Sequence, residues 1–108
     1  MARGQLIALS NPISAARDAE FNKWYNEIHI PELVGLPGFE SATRYRVSAQ
    51  GLPEKATPEF RYVAVYEIAD MDAAKKAMAT AAANLTQTDA SGERGVAALA
   101  HVTFQKTN

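Results

Sequence analysis

The sequence predicts an α+β domain in the order β-α-β-β-α-β: a four-stranded antiparallel sheet with both helices on one face. Three observations carry this reading. Phe39–Val47 and Phe60–Ile68 alternate with period two, as half-buried strands do. Phe21, Trp24, Tyr25 and Ile28 fall at i, i+3, i+4 and i+7, one face of a helix. Asp70 opens an alanine-rich helical stretch that precedes a last apolar segment.

The elements follow in order. Gln5–Leu9 is a short apolar run that suits a buried strand, and Asn11-Pro12 ends it. The first helix runs from about Ser14 to His29. Asp18 and Glu20 sit early in it, where the helix dipole favours negative charge. Pro31 disfavours helical geometry at Ile30, so the helix is expected to stop near His29, with Ile30–Leu36 as an irregular turn. Pro37-Gly38 carries the residues of a type II turn, Pro at i+1 and Gly at i+2. In the strand that follows, Phe39, Ser41, Thr43, Tyr45 and Val47 share one face, and Glu40, Ala42, Arg44 and Arg46 the other. Gln50–Pro58 reads as a polar loop. Phe60, Tyr62, Ala64, Tyr66 and Ile68 form one face of the next strand. Asp70 caps a second helix with Met71, Ala74, Met78, Ala81 and Leu85 on its apolar face. Thr86–Gly95 reads as a mobile polar loop and Val96–Phe104 as the last strand.

This order is the ferredoxin-like arrangement. Both helices cover the same face of the sheet. The other face, with Val63, Val65 and Ala42, needs a partner, and a second copy packed sheet to sheet would supply one. A two-fold homodimer is therefore expected.

At 108 residues the chain is expected to be a single domain, residues 1–108, and a hydrophobic fraction of 47% is enough for a packed core. A net charge of -1 with scattered basic residues gives no reason to expect nucleic acid or an anionic membrane as partner. The chain has no cysteine, which excludes disulfides, thiol nucleophiles, iron–sulfur clusters and Cys-based zinc sites. Neither a signal peptide nor a long apolar span is recognisable, so a soluble cytoplasmic protein is expected. No phosphate loop, dinucleotide fingerprint or nucleophile elbow is present, and no cofactor is expected.

Phe21–Tyr45 holds the only Trp, one of two His and two of four Tyr. Tyr25 and His29 are one helical turn apart, so their side chains are neighbours. A histidine poised near neutrality can act as general acid or base; the bland alternative is a histidine that caps the helix by bonding a terminal carbonyl. Trp24 adds an apolar wall beside this pair. Tyr45, Tyr62 and Tyr66 share parity with Phe39 and Phe60. If that parity faces the helices, their phenols suit a pocket for a flat ring; otherwise they are ordinary core. Ala74, Ala77 and Ala81 leave room for a cavity. Asn11 can point its amide into the same space or serve as a turn residue. His101 falls on the dimer face or joins the pocket, with a structural role favoured. Arg44 and Arg46 read as solvated or interface ion pairs. No metal site is expected: His29 and Glu32 are separated by Pro31, and no other ligand spacing is present.

The run FNKWYNEIHIPELVGLPGFESATRY resembles the first helix and second strand of dimeric α/β-barrel proteins, specifically the EthD-like branch, where a W-Y-x-x-x-H-x-P-E-L segment precedes a P-G-F turn. The specific motif covers Phe21–Tyr45 and the element order most of the chain. Members of that superfamily bind small hydrophobic or aromatic compounds between sheet and helices. They include polyketide cyclases, lactone isomerases, cofactor-free quinone-forming monooxygenases, dehydratases and haem-degrading enzymes. The resemblance implies His29 as the acid/base or ligand-orienting group, with Tyr25 beside it. The haem-degrading pattern wants a histidine on the second helix, and Met71–Leu85 has none. The leading expectation is a cofactor-independent lyase, isomerase or cyclase acting on a small aromatic or polyketide-like compound. The alternatives are a cofactor-free monooxygenase of the same fold and a non-catalytic ligand-binding dimer.

Overall fold

The computed structural model describes residues 2–47 and 60–100. Strand β1 (Gly4–Pro12) leads through a single 3₁₀ turn, Ala15–Arg17, into helix α1 (Asp18–Trp24). A π-helical turn (Tyr25–His29) and helix α2 (Ile30–Val34) follow without a break. Strands β2 (Phe39–Arg46) and β3 (Tyr62–Ile68), helix α3 (Met71–Ala81), a 3₁₀ turn at Ala82–Asn84 and strand β4 (Ser91–Ala100) complete the described fold. The four strands form one antiparallel sheet in the order β2-β3-β1-β4. This is the ferredoxin-like arrangement that the alternating segments predict.

The core lies between the helices and one face of the sheet. β1 contributes Leu6 and Ser10 to that face, and β3 contributes Tyr62, Ala64, Tyr66 and Ile68; Phe21, Trp24, Tyr25, Leu33 and Ala74 close it from above. Asp70 caps α3 as expected, its Oδ1 accepting the N–H groups of Asp72 and Ala73 at 3.1 and 3.2 Å. The Pro37-Gly38 turn forms with Gly38 at φ 90° and closes through the Phe39 N–H to Leu36 carbonyl bond at 3.2 Å.

Three departures from the sequence reading have physical causes. The first helix does not stop at His29 but runs on through Pro31 to Val34. The Ile30 N–H bonds the Tyr25 carbonyl five residues back, and this wider turn removes the clash that a proline causes in a regular helix. Ile28 therefore leaves the buried face and is 39% exposed, while His29 turns inward. The second departure is a register shift between Phe39 and Ser41 in the β2·β3 ladder. After it, Ala42, Arg44 and Arg46 face the helices, and Tyr45 points to the opposite side, 55% exposed. Third, β1 extends to Pro12, and β4 begins at Ser91 rather than Val96. Ala90, expected in a mobile loop, is wholly buried, and its carbonyl accepts the Ile13 N–H at 2.6 Å. The expectations for Gln50–Pro58, His101 and the end of the last strand lie outside the described residues.

Candidate functional site

Four of the sequence-selected residues converge. Tyr25 and His29 meet edge to face, centroids 4.9 Å apart at 73°. The π turn also brings Trp24 onto His29, stacked at 4.7 Å and 21°. Trp24, Tyr25, His29 and Tyr66 all line one cavity of about 280 Å³ between sheet and helices. Leu6, Ala8 and Ser10 of β1 form its floor. Leu33, Met78, Ala82 and Leu85 form its apolar wall, and Gln87, Ser91, Arg94 and Val96 its rim. From α3 it is Met78 that reaches this space; Ala74, Ala77 and Ala81, expected to leave it open, do not line it.

The polar atoms here are incompletely paired. His29 Nδ1, Ser10 Oγ and the Tyr66 hydroxyl are buried without a well-formed hydrogen bond, the two hydroxyls standing near the Tyr25 phenol but outside good bonding geometry. Native structures rarely leave such groups orphaned, so orphans that share one cavity point to an occupant. His29 makes no capping bond to a helix carbonyl, and the helix continues beyond it. Burial pushes its imidazole below the ordinary range. Glu32 partly opposes this shift, whereas Arg94 and Arg44 add to it. At neutral pH His29 is thus an uncharged base. Burial pushes the Tyr25 phenol up, and neighbouring Tyr66, Arg44, Ser10 and Arg94 pull it partly back. Tyr66 is pushed further up, by burial and then by Tyr25. Both phenols therefore stay protonated and can donate a hydrogen bond.

The segment after α3 is tied across the cavity wall at Thr86. The Trp24 indole N–H donates to the Thr86 carbonyl at 3.1 Å, and Glu32 accepts the Thr86 N–H and hydroxyl at 2.9 and 2.7 Å. These bonds hold Leu85 and Gln87 against the opening.

Three candidates lie elsewhere. Tyr62 sits beneath Phe21, its hydroxyl donating to Asp18 Oδ1 at 2.6 Å and accepting from Asn22 at 3.0 Å. Tyr45 lies on the opposite sheet face because of the β2 register shift. Asn11 sits at the irregularity in β1, where its Oδ1 accepts the Arg61 N–H at 2.7 Å. None of the three lines the cavity.

Arg44, expected in a solvated or interface ion pair, is half-buried. Its guanidinium lies 4.2 Å from the Tyr25 ring centroid and 4.9 Å from that of Tyr62, and Nη1 donates to Asn26 at 3.0 Å. Ser10 and Arg94 also escaped sequence selection. Ser10 continues the Leu6-Ala8 parity and was legible had β1 been extended to Pro12; Arg94 carried no such signal once its segment was read as loop. Among the described residues no group of three His, Cys, Asp or Glu could hold a metal ion. The hollow around Arg3, Glu67 and Leu99 is larger, about 650 Å³, but it contains none of the buried unpaired polar atoms.

A domain-family model described as a domain of unknown function, DUF4286, matches residues 9–93, most of the chain. The chain belongs to the DUF4286 family. Its fold is the ferredoxin-like fold that similar solved structures share. Solved structures similar to this DUF4286 chain include an ethyl tert-butyl ether D (EthD) family protein from Bacillus halodurans, at 19% identity over 72% of each chain and a TM-score of 0.52. SnoaB, a cofactor-independent oxygenase from Streptomyces nogalater, is similar at 22% identity over 99% of this chain and 97% of its own, TM-score 0.55. The heme-degrader MhuD from Mycobacterium tuberculosis is similar at 17% identity over 95% and 99%, TM-score 0.61. At these identities the likeness concerns the fold. No curated protein matches the DUF4286 chain in sequence.

Proposed function

We propose that this protein is a cofactor-independent enzyme that moves a proton on a small aromatic or polyketide-like compound, as a lyase, isomerase or cyclase. The carrying observation is His29, its Nδ1 buried and unpaired, on a cavity whose other unsatisfied groups are hydroxyls. His29 takes a proton from substrate carbon or hydroxyl beside a carbonyl. The electron pair delocalises onto the substrate oxygen, which then accepts hydrogen bonds from Tyr25 or Tyr66. The phenols, held protonated by burial, suit that role. Trp24 and the aliphatic wall suit a flat ring, and about 280 Å³ lies just below the roughly 300–1,000 Å³ range of small-molecule pockets. Tyr62, Tyr45 and Asn11 have no part in this mechanism. The protein acts as a cytoplasmic homodimer in this reading. Its support is the half-covered apolar sheet face and the lack, among the described residues, of a helix long and apolar enough to cross a membrane.

The same base supports a second reading, a cofactor-free monooxygenase. A substrate carbanion formed at His29 would be oxidised by molecular oxygen, which partitions into the apolar wall of Leu6, Leu33, Met78 and Leu85. Oxygen uptake separates the two.

The test is a panel of enolisable bicyclic ketones and dihydroxynaphthalenes, followed by NMR for proton–deuteron exchange and product, with an oxygen electrode in parallel. His29→Ala should lower turnover about 10²–10⁴-fold and Tyr25→Phe by less. Unchanged turnover in His29→Ala would reject the assignment.

A further inference from the structure

We infer that the cavity takes a carboxylate-bearing ligand, with Arg94 at the rim and Ser10 on the floor beside it forming the subsite that holds the negatively charged group. The inference rests on reading this cavity as the substrate site and adds the chemical class that enters it.

Arg94 and Ser10 are direct partners in the β1·β4 ladder. Directly opposed residues of an antiparallel pair project on the same face, with Cβ atoms about 4.5–5.5 Å apart. Both residues line the cavity. Ser10 is 5% exposed, and its hydroxyl has no well-formed hydrogen bond. The Tyr66 hydroxyl, on a residue with no exposure, is the second such donor on the same wall. A buried hydroxyl without a well-formed bond is costly, so two on one wall mark a place for an acceptor.

Arg94 supplies the charge. Arg3, Arg17 and Arg61 each have a carboxylate partner. Among the described residues Arg94 has no hydrogen bond or ion pair, although its field reaches both His29 and Tyr25. It therefore stands at the mouth, unpaired among the described residues, beside two buried hydroxyls that share the Tyr25 phenol as their neighbour. A guanidinium fork matches a carboxylate in shape and charge. One cation with neutral donors balances a single negative charge, which favours carboxylate over a doubly charged phosphate. The arrangement also sets direction: the carboxylate stays at the wet rim, and the ring of the ligand passes inward toward Trp24 and His29.

Titration calorimetry with 2-naphthoate and 2-naphthamide tests this, since the two probes share a shape and differ in charge. The intact chain should bind naphthoate the more tightly, and added salt should narrow the difference. Arg94→Gln should weaken naphthoate about tenfold and leave naphthamide nearly unchanged, with Arg94→Lys in between. Ser10→Ala should weaken naphthoate by a smaller factor. Equal affinity for both probes in the intact chain, an unchanged preference in Arg94→Gln, or no binding of either probe up to millimolar concentration would each overturn the inference. The acid–base reading fails separately: naphthoate bound through Arg94 with turnover indifferent to His29→Ala would leave the carboxylate subsite standing alone.

Discussion

The chemistry depends first on the charge state of one residue, and His29 has a direction that can be measured. Its pKa is depressed in the fold, chiefly by burial. The unfolded chain therefore binds its proton more readily, and by linkage stability rises with pH through the histidine range. The contribution of the neutral imidazole is fully present above the ordinary value of about 6.5 and is lost as pH falls below it toward the folded value. His29→Phe keeps an aromatic ring against Trp24 but does not titrate. Urea unfolding at about pH 5 and about pH 7.5 should show a larger acid loss for the parent than for this variant. Equal losses would mean that His29 stays as solvated as in the unfolded chain. The same depressed value sets the acid limb of kcat/KM below about 6.5. Arg44 presents the opposite balance. Its cation lies against the Tyr25 and Tyr62 rings, an attraction worth about 0.5–2 kcal/mol. Its Nε and Nη2, however, are buried without partners, a cost of similar size. Arg44→Met should therefore change stability by no more than about 1 kcal/mol in thermal or urea denaturation; a loss of several kcal/mol would show that the cation is better satisfied than its contacts indicate.

At the scale of elements, the π turn is what makes the site. An ordinary helical turn would leave Ile28 buried and carry His29 away from Trp24; the bond from Ile30 to Tyr25 brings His29 inward instead. Pro31→Ala restores an N–H and allows a regular turn. Trp24 is the only tryptophan, so its emission should change in that variant as the stacked imidazole leaves, and turnover should fall while overall stability is kept or raised. A second element-level prediction concerns the turn into β2. A Cβ on Gly38 would collide with the Ala74 nitrogen and stand 2.6 Å from the Asp70 carbonyl oxygen, at a φ of 90°. Gly38→Ala should cost about 2 kcal/mol or more, read from the urea midpoint. These two places also mark the limit of what was legible in the sequence. Strand alternation, the Asp70 cap and the Pro-Gly turn are local rules, and each predicted its element. The π turn and the β2 register shift insert one residue into a period, and no periodicity signals where the insertion falls. Hence the Tyr25–His29 pair was legible. Tyr45 and Arg44 were assigned to each other's faces, and Ser10 and Arg94 were lost with the ends of β1 and β4.

At the scale of the whole molecule, both helical layers lie on one side of the sheet, and the other side carries a continuous apolar set. Ile7 and Val65 are cross-strand partners there, as are Leu9 and Val63, and all four are only half-covered. Tyr45 and Leu99 flank them at 55% and 45% exposure. Ala42, expected on this face, belongs to the other. An antiparallel sheet can leave one face to water when that face is polar; this one is polar at Ser41, Thr43 and the Gln5–Glu67 bond at 2.7 Å, and apolar across its middle. A patch of this kind marks an interface, and a two-fold copy is the self-complementary occupant. Light scattering should therefore give a dimer at micromolar concentration. Val65→Glu places a charge at the middle of the patch, where burying it without a partner costs more than the contact yields, and should give a monomer. The cavity lies across the sheet from Val65, so that monomer should keep its far-UV spectrum and still bind 2-naphthoate. A parent chain that is already monomeric would exclude this sheet face as the dimer interface. A Val65→Glu chain that stays dimeric would move the interface to another surface.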